Sequence, residues 1–188
     1  MFYRWLFPLL WLAFVVVWVA MARGGKPIAE RESAFSRLSH YLPLAIAIYL
    51  LAAPNVPFAP LNDRFAPLSL WLVRLGAALT FAGIAFAIWA RVWIAGNWSS
   101  DVTLKRDHEL IVSGPYAFVR HPIYTGILLG LLGTALAVGE WRGMLAIAFA
   151  AVAFWRKLGI EEAVMGRQFG EAYVRYAERV PALIPFVL

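Results

Sequence analysis

The chain has 188 residues, 62% of them hydrophobic and only 15% charged, far from the roughly 45–50% apolar and 25% charged usage of a soluble globular domain. Seventeen Lys+Arg oppose 11 Asp+Glu for a formal net charge of +6, and there is no cysteine. Disulfides, thiolate metal sites and covalent cysteine chemistry are therefore excluded, and the apolar excess points to a bilayer.

That excess is gathered into runs. Trp5 to Ala22 is 18 residues without a charge, Tyr41 to Leu61 is 21, Leu75 to Ala90 is 16 between Arg74 and Arg91, and Pro122 to Gly139 is 18. A hydrocarbon core of about 30 Å needs roughly 20 apolar helical residues, so four spans fit, the third with its flanking arginines snorkelling. Gly143 to Trp155 is only 13 residues. It is read as a fifth span, with Trp141, Arg142 and Arg156 reaching the interfaces. The first run ends in Ala20-Met21-Ala22, which resembles a cleavage site, but it is longer than a signal core and laced with Trp5, Trp11 and Trp18. A retained anchor is expected.

Between the spans, Pro54, Pro57 and Pro60 break the second run into an extended turn. A polar loop follows the third, from Asp101 to Ser113. Gly139-Glu140 allows a tight return, so the fourth and fifth spans should form a helical hairpin. From about Arg156 the tail reads as an amphipathic helix, with Val164, Phe169, Tyr173 and Tyr176 at helical spacings and Pro181 ending it. An N-out, C-in arrangement puts Arg23, Lys26, Arg31, Arg37, Arg91, Lys105, Arg106, Arg120, Arg156, Lys157, Arg167, Arg175 and Arg179 inside. Arg4, Arg64, Arg74 and Arg142 are left outside. The positive-inside rule favours that orientation, and the net charge reads as topology and attraction to anionic lipid rather than nucleic-acid binding. The expected fold is an all-α integral membrane protein of about five transmembrane helices with a C-terminal amphipathic helix. It forms one domain, residues 1–188, with two plain spans over 1–65 and a functional core over 66–188.

Chemistry concentrates in Gly114 to Gly126, GPYAFVRHPIYTG, at the mouth of the fourth span. Arg120, His121 and Tyr124 suit an interfacial anchor. They equally suit an anion held at a Pro-capped helix start with His and Tyr donors. Glu161-Glu162 is open to two readings, a solvated helix start or a carboxylate pair for a cation or ribose hydroxyls. Arg156 either snorkels or faces the bundle to orient a carboxylate. His40, His108 and His121 show no metal-ligand spacing, so no metal site is expected. Gly76, Gly83, Gly126, Gly130 and Gly133 read as close helix packing rather than a phosphate loop.

Five elements occur in order: Asn97-Trp98-Ser99; His108-x-Leu110 leading to Gly114-Pro115-Tyr116; Arg120-His121-Pro122-x-Tyr124-x-Gly126; Glu161-Glu162; and Phe169-Gly170, Tyr173 and Val180-Pro181. Covering roughly residues 89 to 187, this set resembles the isoprenylcysteine carboxyl methyltransferase family, integral-membrane enzymes related to phospholipid methyltransferases. The resemblance implies S-adenosylmethionine as cofactor, with His108, Leu110, Gly114, Tyr116, Val119, His121, Tyr124 and Glu162 on the cofactor side. It places Arg156 and Glu161, the candidate catalytic residues, on the acceptor side. The implied acceptor is the carboxylate of a prenylated or lipid-like molecule, with membrane lipids as neighbours. The implied location is a membrane, expected to be a bacterial inner membrane, with the site facing the cytoplasm. Three alternatives remain open from the sequence. They are a phospholipid-type amine acceptor, an NADPH-dependent reductase of the sterol or steroid type kept in play by Lys105-Arg106, and a membrane scaffold without catalysis.

Overall fold

The computed structural model describes residues 2–21, 33–94 and 109–185. Among these residues the regular structure is helical: α1 (Phe2–Ala20), α2 (Ala34–Ala52), α3 (Leu70–Ile94), α4 (Pro122–Val138), α5 (Trp141–Phe169) and α6 (Glu171–Ala177), with short 3-10 turns at Ala59–Asn62 and Gly114–Ala117. Three helices, α2, α3 and α5, are long and apolar enough to cross a membrane; α1 and α4 are shorter apolar helices.

Helix α5 differs from expectation. The 13-residue fifth run and the amphipathic tail are one continuous helix of 29 residues. No proline interrupts it, and the chain turns only at Gly170, where φ is 51°. The tail helix therefore breaks there and resumes as the seven-residue α6, short of Pro181. At 1.5 Å per residue, Glu161 lies about 30 Å along the axis from Trp141, one hydrocarbon thickness away.

The most extensive interface is α3 against α4, and it is built on glycine. A Cβ on Gly83 would lie 2.4 Å from the Gly126 carbonyl oxygen and 2.5 Å from the Gly130 amide nitrogen. One on Gly133 would lie 2.4 Å from the Gly76 carbonyl oxygen and 2.6 Å from the Thr80 nitrogen. The backbones touch, as small-residue helix contacts in membranes do. Beside this seam the Thr80 hydroxyl donates to the Gly130 carbonyl at 3.1 Å and lies 3.3 Å from Thr134 Oγ1. The Trp11 indole donates to Thr134 Oγ1 at 3.1 Å and ties α1 to the pair.

At the hairpin end, Gly139 caps α4 in the left-handed region with φ 68°. Phe65 N–H donates to the Gly139 carbonyl at 3.0 Å and Trp141 N–H to the Asp63 carbonyl at 3.1 Å. Arg142 does not reach for the interface as expected. It is buried, pairs with Glu140 at 2.6 Å, and donates to the carbonyls of Leu50 (3.0 Å) and Ala53. Helix α2 stops before Pro54 and leaves terminal carbonyls that need donors; the adjacent guanidinium supplies them. Arg91, expected to snorkel, is likewise buried and donates to the Met21 carbonyl at the end of α1. Arg74 remains exposed.

Two glycine variants separate packing from helix propensity. Gly83→Ala should destabilise the detergent-solubilised protein by about 1–3 kcal/mol through overpacking. Gly159→Ala, whose added Cβ meets nothing within 4 Å, should be neutral or stabilising by up to about 1 kcal/mol. Equal melting temperatures for the two would refute the glycine seam.

Candidate functional site

The site assembles where α4 begins and α5 nears its end, on the side of the bundle away from the hairpin. Gly114 opens the approach with φ 62°, and a Cβ there would sit 2.4 Å from the Trp93 indole at the end of α3. Only glycine has both the conformational freedom and the room for this turn. Trp93 Nε1 donates to Ser113 Oγ at 3.3 Å. Pro115 and Tyr116 are buried in the 3-10 turn that follows, and Val119 is fully enclosed.

Arg120 and His121 then lie against the C-terminal segment. Arg120 N–H donates to the Pro181 carbonyl at 2.8 Å and His121 N–H to the Ala182 carbonyl at 3.0 Å. His121 is the N-cap of α4 but makes no side-chain cap bond, so its ring is turned to α5. Nδ1 lies 3.4 Å from Glu161 Oε2 and Nε2 lies 3.2 Å from Glu162 Oε1. A carboxylate at each ring nitrogen is satisfied by the doubly protonated imidazolium, which donates from both. Burial alone lowers the His121 pKa, but the hydrogen bonds and charges of Glu161 and Glu162 outweigh it and hold it above its ordinary 6.5. Both ring nitrogens of His121 are thus occupied by the chain's own carboxylates.

Tyr124 completes the cluster. Its hydroxyl donates to Glu161 Oε1, and its ring stacks on His121 at 5.7 Å and on Phe154 at 4.8 Å. Lys157 Nζ lies 5.8 Å from the Tyr124 ring centroid and 6.0 Å from that of Tyr41 on α2. The cation therefore sits where α2, α4 and α5 meet. Arg120 pairs with Glu162 through Nε (2.8 Å) and Nη2 (2.7 Å). From α6, the Tyr176 hydroxyl donates to the Tyr116 carbonyl at 2.6 Å. Burial, and then the Glu161 carboxylate, push the Tyr116 phenol up. Burial and Glu162 do the same for Tyr173, and burial raises Tyr176 to about 12. All three phenols therefore keep their protons and act as donors, not bases.

Of the residues singled out in the sequence, His121, Tyr124, Glu161 and Glu162 meet directly. Tyr116 adjoins them in a buried cluster against which Tyr124 packs, Gly114 and Val119 shape the approach, and Leu110 is half-buried in the segment leading to it. His108 lies outside the described residues, as do Asn97-Trp98-Ser99 and Lys105-Arg106. Arg156 is elsewhere: exposed, its guanidinium donates to the hydroxyls of Ser39 and Ser36 (3.4 Å for the latter) on α2. Helix geometry explains why. Arg156 stands about 140° from Glu161 around the axis, whereas Lys157, four residues before it, stands only about 40° away. That spacing was available as a signal in the sequence. The roles of Arg120 and the 177–183 segment were not, because they depend on contacts across about 60 residues.

The family profile described as phospholipid methyltransferase matches residues 71–172. Protein-S-isoprenylcysteine O-methyltransferase B of Arabidopsis thaliana is 30% identical over 155 residues, 79% of this chain and 75% of that protein. Protein-S-isoprenylcysteine O-methyltransferase of Schizosaccharomyces pombe is 35% identical over 101 residues, 52% of this chain and 43% of that protein. The cobalt-zinc-cadmium resistance protein CzcN of Cupriavidus metallidurans is 34% identical over 125 residues, 64% of this chain and 50% of that protein. The chain thus spans three quarters of the first relative and half or less of the other two. It belongs to the isoprenylcysteine carboxyl methyltransferase family of membrane proteins, within the phospholipid methyltransferase group. It is an enzyme of the methyltransferase class.

The carboxylate–imidazolium–carboxylate triad makes a pH prediction. Because the folded His121 pKa is raised, its contribution to stability is complete below the ordinary 6.5 and is lost as pH rises through the folded value. From about pH 6 to about pH 9, the wild-type melting temperature should therefore fall more than that of His121→Gln. Parallel pH profiles would show that the imidazolium is not formed.

Proposed function

We propose that this chain is an S-adenosylmethionine-dependent membrane methyltransferase acting on the carboxylate of a lipophilic substrate of the isoprenylcysteine type. The observation that carries this reading is the convergence of Glu161, Glu162, His121, Tyr124 and Lys157 at the mouth of an apolar helical bundle of this family. In this reading the bundle is one domain of five crossings, α1 to α5, oriented N-out and C-in in a bacterial inner membrane. The site then faces the cytoplasm, where a water-soluble cofactor is available.

The donor set fits the cofactor. Carboxylates suit ribose hydroxyls and an α-ammonium, and aromatic faces suit a sulfonium. S-adenosylmethionine, when bound, supplies an electrophilic methyl group. Glu162, His121, Tyr124, Tyr116, Gly114, Val119, Leu110 and His108 form the cofactor side, with Glu162 fixed by Arg120. On the acceptor side, Glu161 stays, and the orienting cation becomes Lys157 in place of Arg156. A carboxylate acceptor is already a nucleophile at neutral pH, its unperturbed pKa being near 4, so the protein needs no strong base. Its task is positioning and exclusion of water, a contribution of roughly 7–11 kcal/mol when reactants are held in line.

Charge balance favours this acceptor over an amine. Among the described residues, Glu161 and Glu162 are matched by His121, Arg120 and Lys157. The cluster therefore carries a positive surplus, and on the Lys157 side that surplus attracts a carboxylate acceptor, while the Glu162 side meets the cofactor.

The purified protein should bind S-adenosylhomocysteine and not NADPH, and Glu162→Gln should weaken that binding about tenfold or more. With labelled cofactor and a prenylcysteine acid, the label should enter a base-labile ester that releases volatile methanol. Base-stable label would establish amine methylation instead. Lys157→Met should raise the acceptor KM about tenfold while leaving the cofactor KM near wild type; the reverse split would exclude Lys157 from the acceptor side.

A further inference from the structure

Arg120 uses every side of its guanidinium. Nε and Nη2 hold Glu162 Oε1 at 2.8 and 2.7 Å, and the same oxygen lies 3.2 Å from His121 Nε2. Nη1 donates to the carbonyls of Ala177 (3.0 Å) and Val180 (2.6 Å). The surrounding backbone repeats the direction of these bonds. The N–H groups of Arg120 and His121 donate to Pro181 and Ala182, and the Thr125 hydroxyl donates to the Leu183 carbonyl at 2.6 Å. Residues Ala177 to Leu183 are thus laid along the start of α4 by carbonyl oxygens, with Arg120 and α4 as the donors. A guanidinium fork holds its direction because its donors are rigidly coplanar; an ammonium carries the same charge without that geometry.

We propose that Arg120 is the positioning residue of the cofactor site and that the Ala177–Leu183 segment is its template. The carbonyls fix the guanidinium, the guanidinium fixes Glu162, and Glu162 with Glu161 aims His121. The segment from the end of α6 is then part of the cofactor site through its backbone carbonyls. This proposal rests on the cofactor-side roles given to Glu162 and His121 above.

The test compares wild type, Arg120→Lys, Thr125→Val and the double variant by calorimetry with S-adenosylhomocysteine and by initial rates. Arg120→Lys should bind about tenfold more weakly and raise the cofactor KM without raising the acceptor KM, a split that general destabilisation would not produce. Thr125→Val, which frees one anchor of the segment, should shift the same parameter about threefold. The double variant should be no weaker than Arg120→Lys, because both act along one path. If Arg120→Lys does not fold, the cofactor-only shift in Thr125→Val decides the question alone.

Wild-type affinity in a folded Arg120→Lys, or strictly additive losses, would overturn the proposal while leaving the proposed function intact. If the wild type itself binds no S-adenosylhomocysteine, both fall together.

Discussion

The contact of α3 with α4 over glycine is the constraint from which the site follows. With Gly83 against Gly126 and Gly76 against Gly133, the two backbones lie at touching distance. The start of α4 is thereby held at the end of α3, where Trp93 supports the Gly114 turn. In lipid no hydrophobic force drives helices together, so close packing and internal hydrogen bonds must do so. Thr80, Thr134 and Trp11 supply those bonds beside the seam. Thr80, Thr134 and Trp11 are thus paired with one another within the bundle, and the charged cluster gathers at its end.

A second constraint is that charge near a bilayer must be matched. The protein does this at both ends, in two ways. Arg142 pairs with Glu140 at the hairpin end and donates to the Leu50 and Ala53 carbonyls at the end of α2, a structural arrangement. At the other end Glu161, Glu162, His121, Arg120 and Lys157 form a connected set that includes an imidazole, a phenol and an ammonium over the aromatic rings. Such a set can exchange one of its partners for a ligand, whereas the hairpin pair cannot do so without exposing backbone carbonyls. The difference explains why a basic residue at one end is part of the frame and at the other part of the site.

Much of this was legible in the residue order. The apolar runs, the glycine positions and the Gly139 return all follow from local physics, because a bilayer demands about 20 apolar residues per crossing and tight packing demands small side chains. The meeting of His121, Tyr124 and the Glu pair was legible at the level of a resemblance in motif order. The continuity of α5 through residue 169 was not. The change from apolar to charged composition near Arg156 marks where the helix leaves lipid, and composition does not distinguish that boundary from the start of a new helix. Arg156 and Lys157 are adjacent in the chain but about 100° apart around the helix, and the four-residue spacing puts Lys157 on the side of Glu161.

The sequence by itself determined that the chain is helical and membrane-bound, that glycines line a helix contact, and that polar groups gather at one end. These properties depend on residue type and short-range spacing. Tertiary structure alone decided that Arg142 and Arg91 turn inward to backbone carbonyls and that residues 177–183 are laid against Arg120 and His121. Each of these joins groups far apart in the chain through carbonyl oxygens, which every residue carries and no sequence motif marks.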